Sequence, residues 1–265
     1  MLKRLLIVAM LILCSTYAAA AITSVSPVSR TIETGSTLDI GTIQPGETII
    51  LVLSTDTNYG KSKTWSSASV GAVPSGWKVV QDNITSKTIS LSITAPKNAP
   101  EVPQSIKISL DNPAQHLNAE HIFAKVNVKR GLLAASISGL SQDAVVGSPV
   151  KFRLRLINGS SAPHTATLGS TLSEAWFKQR SFEVAPKSTI EEELEVMPMT
   201  YGKKGFRFTV TSALNSAELG TFEASLAVKP TFRSKYSPAL SGFPFFSIAL
   251  LPHYVINAIA SLLVP

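Results

Sequence analysis

Three tryptophans are the residues of this chain best suited to ligand chemistry, because an exposed indole ring can stack on the apolar face of a sugar. Trp65 lies in the polar segment Tyr59 to Ser69, and it is one candidate for such stacking; Trp176 is the other. Trp77 follows the turn residues Pro74 and Gly76, so we expect it to plug the end of a domain.

Residues for catalysis or metal binding do not occur in a recognisable pattern. His116 and His121 are five positions apart, a spacing that suits neither one helix face nor one strand face, so we expect surface histidines. The sequence also lacks a glycine-rich phosphate loop, a serine elbow and a repeated pair of carboxylates. We therefore predict no catalytic residue, no metal site, no cofactor and no enzyme activity.

Two sequons are candidate glycosylation sites, at Asn83-Ile84-Thr85 and Asn158-Gly159-Ser160. Both fall in predicted turns, where an acceptor amide is accessible and a sugar would shield the loop backbone. Asn83 and Asn158 are therefore predicted glycosylation sites.

The N-terminal residues 1–21 have the order of a signal peptide. Lys3 and Arg4 come first, the apolar run Leu5 to Leu13 follows, and small residues precede the expected cleavage point near Ala21. The one cysteine, Cys14, lies inside this segment, so the exported domains are expected to contain no disulfide.

The C-terminal run 243–264 is uncharged and follows a linker, 231–242, that contains Arg233 and Lys235. As a helix it would reach about 33 Å, enough for a hydrocarbon core of about 30 Å. We predict a membrane helix; the alternatives are an apolar tail bound to another protein or packed on its own domain. The basic residues before the run oppose the usual charge bias of a single span, which also leaves a re-entrant, partner-bound or proteolytically removed segment open.

Residues 22–130 are predicted to form a first β-sandwich. Apolar residues alternate with polar ones in Thr88 to Thr94, Ser105 to Leu110 and Ala124 to Val128, and Ile49 to Leu53 is a continuous apolar strand. This period of two is typical of strands that bury one face, and the turns between them favour two antiparallel sheets around one core.

Three stretches of this first domain carry a family resemblance. Ile43-Gln44-Pro45-Gly46-Glu47-Thr48, Val73-Pro74-Ser75-Gly76-Trp77-Lys78-Val79 and Ser90-Leu91-Ser92-Ile93-Thr94-Ala95-Pro96-Lys97-Asn98-Ala99-Pro100 resemble the galactosidase-associated sandwich module of archaeal and bacterial surface proteins. The resemblance implies a β-sandwich displayed on a cell surface. The chain departs from the family pattern at Pro100-Glu101-Val102-Pro103, which affects the expected last hairpin.

Residues 131–230 are predicted to form a second sandwich. In Val150 to Ile157 the apolar residues alternate with Lys151, Arg153 and Arg155, and Ile190 to Val196 carries the matching acidic row Glu191, Glu193 and Glu195. We expect these rows to pair across neighbouring strands on a solvated sheet face, in preference to forming an anion-binding face.

Turn segments of the second domain resemble those of adhesion-type, immunoglobulin-like modules of prokaryotic surface proteins. They are Val-Gly-Ser-Pro-Val at 146–150, Ile-Asn-Gly-Ser-Ser-Ala-Pro at 157–163, Val-Ala-Pro-Lys-Ser at 184–188 and Tyr-Gly-Lys-Lys-Gly at 201–205. The resemblance implies the same general plan for both domains.

The sequence thus predicts an all-β protein: two tandem immunoglobulin-like β-sandwich domains between a signal peptide and a C-terminal hydrophobic helix. The formal net charge is +7, too evenly spread to indicate a nucleic-acid partner. We expect an exported, membrane-anchored structural or adhesive protein of an archaeal or bacterial cell envelope, with other envelope proteins or polysaccharide as partners. The alternatives are a carbohydrate-binding accessory protein that uses Trp65 or Trp176, and a subunit of a membrane complex held through the C-terminal helix.

Overall fold

The computed structural model describes residues 21–57, 63–231 and 251–263. These residues divide into two compact units. Unit 1 holds the described residues up to Leu132 together with the short segments Gly159–Pro163 and Ala185–Lys187. Unit 2 holds Leu133–Asn158, His164–Val184 and the described residues from Ser188 onward.

Unit 1 contains two mostly antiparallel sheets, with strand orders β2-β1-β4-β7-β6 and β3-β9-β8-β5. A 3-10 turn at Pro113–Gln115 joins β8 to β9. The strands are β1 (Ala21–Ser26), β2 (Arg30–Glu33), β3 (Thr37–Ile43), β4 (Thr48–Ser54), β5 (Ser67–Val70), β6 (Lys78–Ile84), β7 (Thr88–Thr94), β8 (Gln104–Asn112) and β9 (Leu117–Val128).

Alternate residues of both sheets meet in one core, which makes unit 1 a β-sandwich. On β7, for example, Ile89, Leu91 and Ile93 are fully buried while the serines and threonines between them are partly exposed. The strands predicted from the period of two at β7, β8 and β9 are confirmed, as is the continuous apolar strand at β4.

The strand order of unit 1 is that of an immunoglobulin-type sandwich. In the seven-strand plan, one sheet has the order first, second, fifth, fourth, and β1-β4-β7-β6 follow this order. The other sheet contains the third, sixth and seventh strands, which correspond to β5, β8 and β9. Strand β3 adds a parallel pairing along β9.

Unit 2 contains a three-stranded sheet, β10-β12-β15, and a five-stranded sheet, β11-β17-β16-β13-β14. Because β14 pairs with β13, strand β15 is left at an edge of its own sheet. The strands are β10 (Leu133–Ser138), β11 (Ser141–Val145), β12 (Val150–Asn158), β13 (His164–Ser170), β14 (Arg180–Val184), β15 (Thr189–Val196), β16 (Gly202–Ser212) and β17 (Glu218–Lys229).

The core of unit 2 is built around aromatic rings. The ring of Phe208 lies edge-on to those of Phe152, Phe177 and Phe206, at centroid distances of 5.3, 5.4 and 5.2 Å. The ring quadrupole favours such edge-to-face pairs, which stabilise the core beyond the effect of burying apolar area. Residues of both sheets share this core, so unit 2 is also a β-sandwich.

The described residues also include one α-helix, α1 (Leu251–Leu263). It covers the C-terminal part of the predicted membrane segment 243–264, of which residues 243–250 and 264 lie outside the described residues. In the described part of the chain, no helix combines the length and hydropathy that crossing a bilayer requires. The predicted signal peptide lies outside the described residues apart from Ala21, as does most of the linker 231–242.

Candidate functional site

The best candidate site is a cleft in unit 2 beside the loop 171–179, which joins β13 to β14. Two backbone hydrogen bonds turn this loop, from the amides of Trp176 and Phe177 to the carbonyl oxygen of Ser173, at 2.9 and 3.1 Å. A third bond, 2.9 Å long, runs from the amide of Met197 to the carbonyl oxygen of Trp176 and ties the loop to the end of β15.

Two neighbouring aromatic residues of this loop have different environments. Phe177 is buried against Phe208 in the core. Trp176 is half-buried, packing on the core while it also lines the cleft. The buried phenylalanine thus anchors the loop, and the tryptophan remains accessible to a ligand.

The cleft has a volume of about 480 Å³ and is widely open to solvent. Its walls combine the indole of Trp176 with charged side chains of both signs. The lining residues are Pro149, Glu174, Ala175, Trp176, Phe177, Lys178, Arg180, Glu193, Glu195 and Met197. An aromatic surface surrounded by hydrogen-bonding groups is the usual composition of a site for a polar organic ligand.

Arg180 is held in position by several contacts. Its Nη1 donates to the carbonyl oxygen of Glu193 at 3.1 Å, and its Nη2 lies 3.8 Å from a carboxylate oxygen of Glu192. The guanidinium carbon is 5.1 Å from the centre of the Phe182 ring, within the range of a cation–π contact. Because a fixed guanidinium loses little freedom on binding, Arg180 is well suited to donate to a ligand in the cleft.

The charged rows predicted on β12 and β15 do pair across the two strands. Lys151 lies 2.6 Å from Glu193 and 3.9 Å from Glu195, and Arg155 lies 3.8 Å from Glu191. The prediction of cross-strand pairing is therefore confirmed. Glu193 and Glu195 also line the cleft, so this row of paired charges on β12 and β15 forms one of its walls.

The Lys151–Glu193 pair shifts both partners' pKa values. The hydrogen bond and charge of Lys151 lower the pKa of the Glu193 carboxyl below its ordinary 4.5, and those of Glu193 raise the pKa of the Lys151 ammonium above 10.5. The stabilisation of unit 2 by the ionised Glu193 carboxylate is fully present above pH 4.5, and it is lost as the pH falls through the pKa of Glu193 in the folded state. The stabilisation by the charged Lys151 ammonium is fully present below pH 10.5, and it is lost as the pH rises through the pKa of Lys151 in the folded state.

We expect Lys151→Met to lower the thermal midpoint of unit 2 slightly at neutral pH, and the difference from wild type to shrink as the pH falls below the ordinary carboxyl value of 4.5 or rises above the ordinary lysine value of 10.5. The effect is small because both side chains are more than half exposed and screened by solvent. Thermal unfolding followed by circular dichroism across the pH range measures it. A difference that stays constant with pH would show that the lost contact was not ionic.

The second candidate for sugar stacking, Trp65, lies in the core of unit 1 with 2% of its surface exposed. A ring covered on both faces offers no platform for a sugar, so we keep only Trp176 as a stacking residue. Trp77 is also buried in the core of unit 1, in agreement with the structural role expected for it.

The two sequons have opposite environments. Asn83 is exposed near the end of β6. Asn158 is 1% exposed, and its Nδ2 donates to the carbonyl oxygen of Val184 at 3.1 Å. A sugar on this nitrogen has no room in the folded unit, so we correct the prediction for Asn158 and retain Asn83.

The histidines do not come together. His116 has a left-handed backbone conformation after the 3-10 turn, while His121 lies on β9 with its ring edge-on to Phe123. His164 is buried, with its Nε2 2.9 Å from the Ser212 hydroxyl, so not every histidine is a surface residue. Within the described ranges, no three His, Cys, Asp or Glu side chains are grouped to hold a metal ion.

Most of the cleft could not be found from the sequence. Lys178 and Arg180 follow Trp176 closely, and an aromatic residue among basic ones was a weak local signal. Glu193, Glu195 and Met197 reach the cleft only because the loop after β13 folds over the end of β15. This pairing of distant segments has no signature in a single sequence.

No family model and no curated protein match this sequence. Similar solved structures include a chimeric titin Z1Z2 fragment, with 12% identity and a TM-score of 0.43, covering 81% of this chain and 98% of that chain. The D00-D0 domain of intimin has 9% identity and a TM-score of 0.29, covering 78% of this chain and 99% of that chain. A CARDB domain from Pyrococcus furiosus, solved with di-metal ions, has 15% identity and a TM-score of 0.29, covering 37% of this chain and 87% of that chain. At these values the similarities assign neither a family nor a function, and the galactosidase-associated resemblance is not shown by any match.

Proposed function

We propose that this chain is a non-enzymatic adhesive protein of an archaeal or bacterial cell surface, and that unit 2 binds polysaccharide in the cleft beside Trp176. The observation that carries the proposal is the half-buried Trp176 in an open cleft of about 480 Å³ with charged walls. Trp176 is one of the two residues, with Trp65, for which the sequence predicted sugar stacking.

The chemistry of the cleft suits a sugar ring. The C–H face of a pyranose stacks on an indole, while its hydroxyl groups both donate and accept hydrogen bonds. Lys178 and Arg180 supply donors, and Glu193 and Glu195 supply acceptors. Because charges of both signs line the cleft, we favour a neutral polysaccharide over a strongly anionic one.

The location on a cell surface rests on the two ends of the sequence. The signal peptide 1–21 would export the chain, and the uncharged run 243–264 would attach it to the membrane, with both units outside the cytoplasm. Other envelope proteins are further candidate partners, and Asn83 is the candidate glycosylation site.

Retention on polysaccharide tests the proposed function. The full chain is passed over insoluble cellulose, chitin, xylan and cross-linked dextran, and we expect specific retention on at least one of them. We expect Trp176→Ala to weaken that retention about ten-fold, the equivalent of about 1.4 kcal/mol, because the stacking surface is lost. Trp176→Phe keeps an aromatic ring and much of the packing, so it should retain part of the binding.

The matched control is Trp65→Phe, which changes a tryptophan buried in unit 1. This variant should bind like wild type. Circular dichroism confirms that each variant is folded before binding is compared. Equal retention of the wild type and of a folded Trp176→Ala variant would overturn the proposed function.

A further inference from the structure

Four apolar side chains are exposed near the end of unit 2 at which β17 finishes. Val145 is the last residue of β11, and Met197, Met199 and Tyr201 lie in the loop that joins β15 to β16. Their exposed fractions are 40%, 41%, 47% and 53%, in that order. A single exposed apolar side chain is ordinary, whereas a group of them marks an interaction site.

Backbone contacts bring these residues to one end of unit 2. The amide of Gly147 donates to the carbonyl oxygen of Pro198 at 2.8 Å, which joins the hairpin after β11 to the loop 197–201. Val145 pairs with Lys229, the last residue of β17. Because β16 begins directly after the loop 197–201 and pairs antiparallel with β17, this loop also lies at the end of β17.

Three lysines lie beside these apolar residues. Lys229 ends β17, while Lys203 and Lys204 lie near the start of β16, where Lys203 pairs with Ala227. In the part of the chain that the structure describes, none of the three ammonium groups takes part in an ion pair. Asp143 on β11 also pairs with Ala227, so the lysines here outnumber the acidic group. These apolar and basic residues form what we call the exit surface: Val145, Met197, Met199, Tyr201, Lys203, Lys204 and Lys229.

The composition of the exit surface suits a bilayer that contains anionic lipid. Tyrosine and other apolar side chains enter the headgroup region of a membrane, where one part of the ring is dry and the hydroxyl stays wet. Lysine ammonium groups are attracted to anionic lipid, and their apolar stems lie along the interface. A neutral polysaccharide offers neither acyl chains nor negative charge, so the exit surface is not an extension of the sugar site.

The order of the chain places the exit surface next to the predicted membrane segment. β17 ends at Lys229, and the apolar run 243–264 follows the linker 231–242, which adds Arg233 and Lys235. A linker of this length spans at most about 43 Å, so an anchored run would keep unit 2 near the bilayer. Such a tether gives an effective concentration of about millimolar, at which even a weak contact forms.

From these observations we propose that the exit surface contacts an anionic bilayer, with Met199 and Tyr201 in the headgroup region and the lysines on the lipid phosphates. Unit 2 is then held against the membrane instead of standing free on its linker. The proposal rests on the membrane attachment in the proposed function. Met197 also lines the cleft beside Trp176, so the tests leave Met197 unchanged.

An environment-sensitive dye in the loop 197–201 tests this contact. The full chain with Cys14→Ser and Met199→Cys is labelled with a nitrobenzoxadiazole dye and bound to vesicles of phosphatidylcholine with one quarter phosphatidylglycerol. We expect the emission to shift to the blue and to rise about two-fold, because the dye leaves water. The matched control is a label at Ala213→Cys, which is exposed in the loop between β16 and β17 at the opposite end of unit 2. Its emission should stay unchanged.

Charge substitutions in the chain labelled at position 199 test the lysines. Lys203→Gln, Lys204→Gln and Lys229→Gln together should remove about half of the rise in emission, because the attraction to anionic lipid is lost. The control removes the same charge from three exposed lysines of unit 1 and should keep the full rise. Its substitutions are Lys78→Gln, Lys87→Gln and Lys97→Gln.

Flotation of the vesicles separates the ways in which the proposal can fail. A chain that floats with the vesicles while its dye at position 199 stays in water would overturn the contact and leave membrane attachment intact. Equal effects of the two sets of lysine substitutions would also overturn it. A chain that does not float would overturn both the contact and the attachment. Polysaccharide retention is measured without lipid and depends on Trp176, so its outcome is independent of these results.

Discussion

Phe208→Ala is expected to destabilise unit 2 by about 3–5 kcal/mol, which is a large part of the stability of a domain of this size. Phe208 is fully buried and its ring contacts three other phenylalanines. Truncation removes the buried ring and leaves a cavity that the surrounding strands cannot fill. Denaturant unfolding followed by Trp176 fluorescence measures the loss, because Trp176 is the tryptophan of unit 2.

Phe222 provides a matched control, since it pairs directly with Phe208 across β16 and β17 but is only half-buried. Phe222→Ala should cost clearly less than Phe208→Ala, because less apolar area is lost from the core. Similar losses of unfolding free energy for the two variants would contradict the placement of Phe208 at the centre of the core of unit 2.

Glu47→Ala is expected to destabilise unit 1 by about 2–4 kcal/mol, because it removes a buried acceptor and leaves its donors without a partner. Glu47 is 2% exposed. Its carboxylate accepts from the backbone amide of Gln44 at 2.8 Å, from Nε2 of the same residue at 3.1 Å, and from the buried hydroxyl of Ser160. Inside a protein water cannot replace these hydrogen bonds, so the donors left behind stay unsatisfied.

The control for this substitution is Glu33→Ala, which changes an exposed glutamate on β2 of the same unit. It should alter the free energy of unfolding by no more than about 0.5 kcal/mol. Unfolding of unit 1 is followed by the fluorescence of Trp65 and Trp77. Equal effects of the two substitutions would mean that the Glu47 hydrogen bonds do not contribute to the stability of unit 1.

The apolar alternation of the sequence was sufficient to find the strands that bury one face. On β12, buried Phe152 and Leu154 alternate with exposed charged residues, and the strand begins at the predicted residue, Val150. Strands without such a pattern were missed. Almost every residue of β6 is exposed, and β5 is a four-residue strand of Ser, Ala and Val, so neither has a hydrophobic signal.

Glu47 belongs to a turn motif, but it also makes a long-range contact that the motif does not predict. Gln44-Pro45-Gly46-Glu47 lies in one of the stretches that carry the family resemblance, and the positive φ of Gly46 fits a tight turn there. The same glutamate also binds Ser160, 113 positions later in the chain. This contact explains why the second sequon is inaccessible at its hydroxyl as well as at Asn158. Contacts between residues so far apart cannot be predicted from local periodicity.

The most direct test of polysaccharide binding at Trp176 uses its own fluorescence. In a chain with Trp65→Phe and Trp77→Phe, Trp176 is the only remaining tryptophan. Titration with soluble fragments of the polysaccharide that retains the protein should change the emission of Trp176 and reach saturation, because the sugar covers the exposed part of the ring. An emission spectrum that stays constant while the same variant is still retained on the matrix would contradict binding in this cleft.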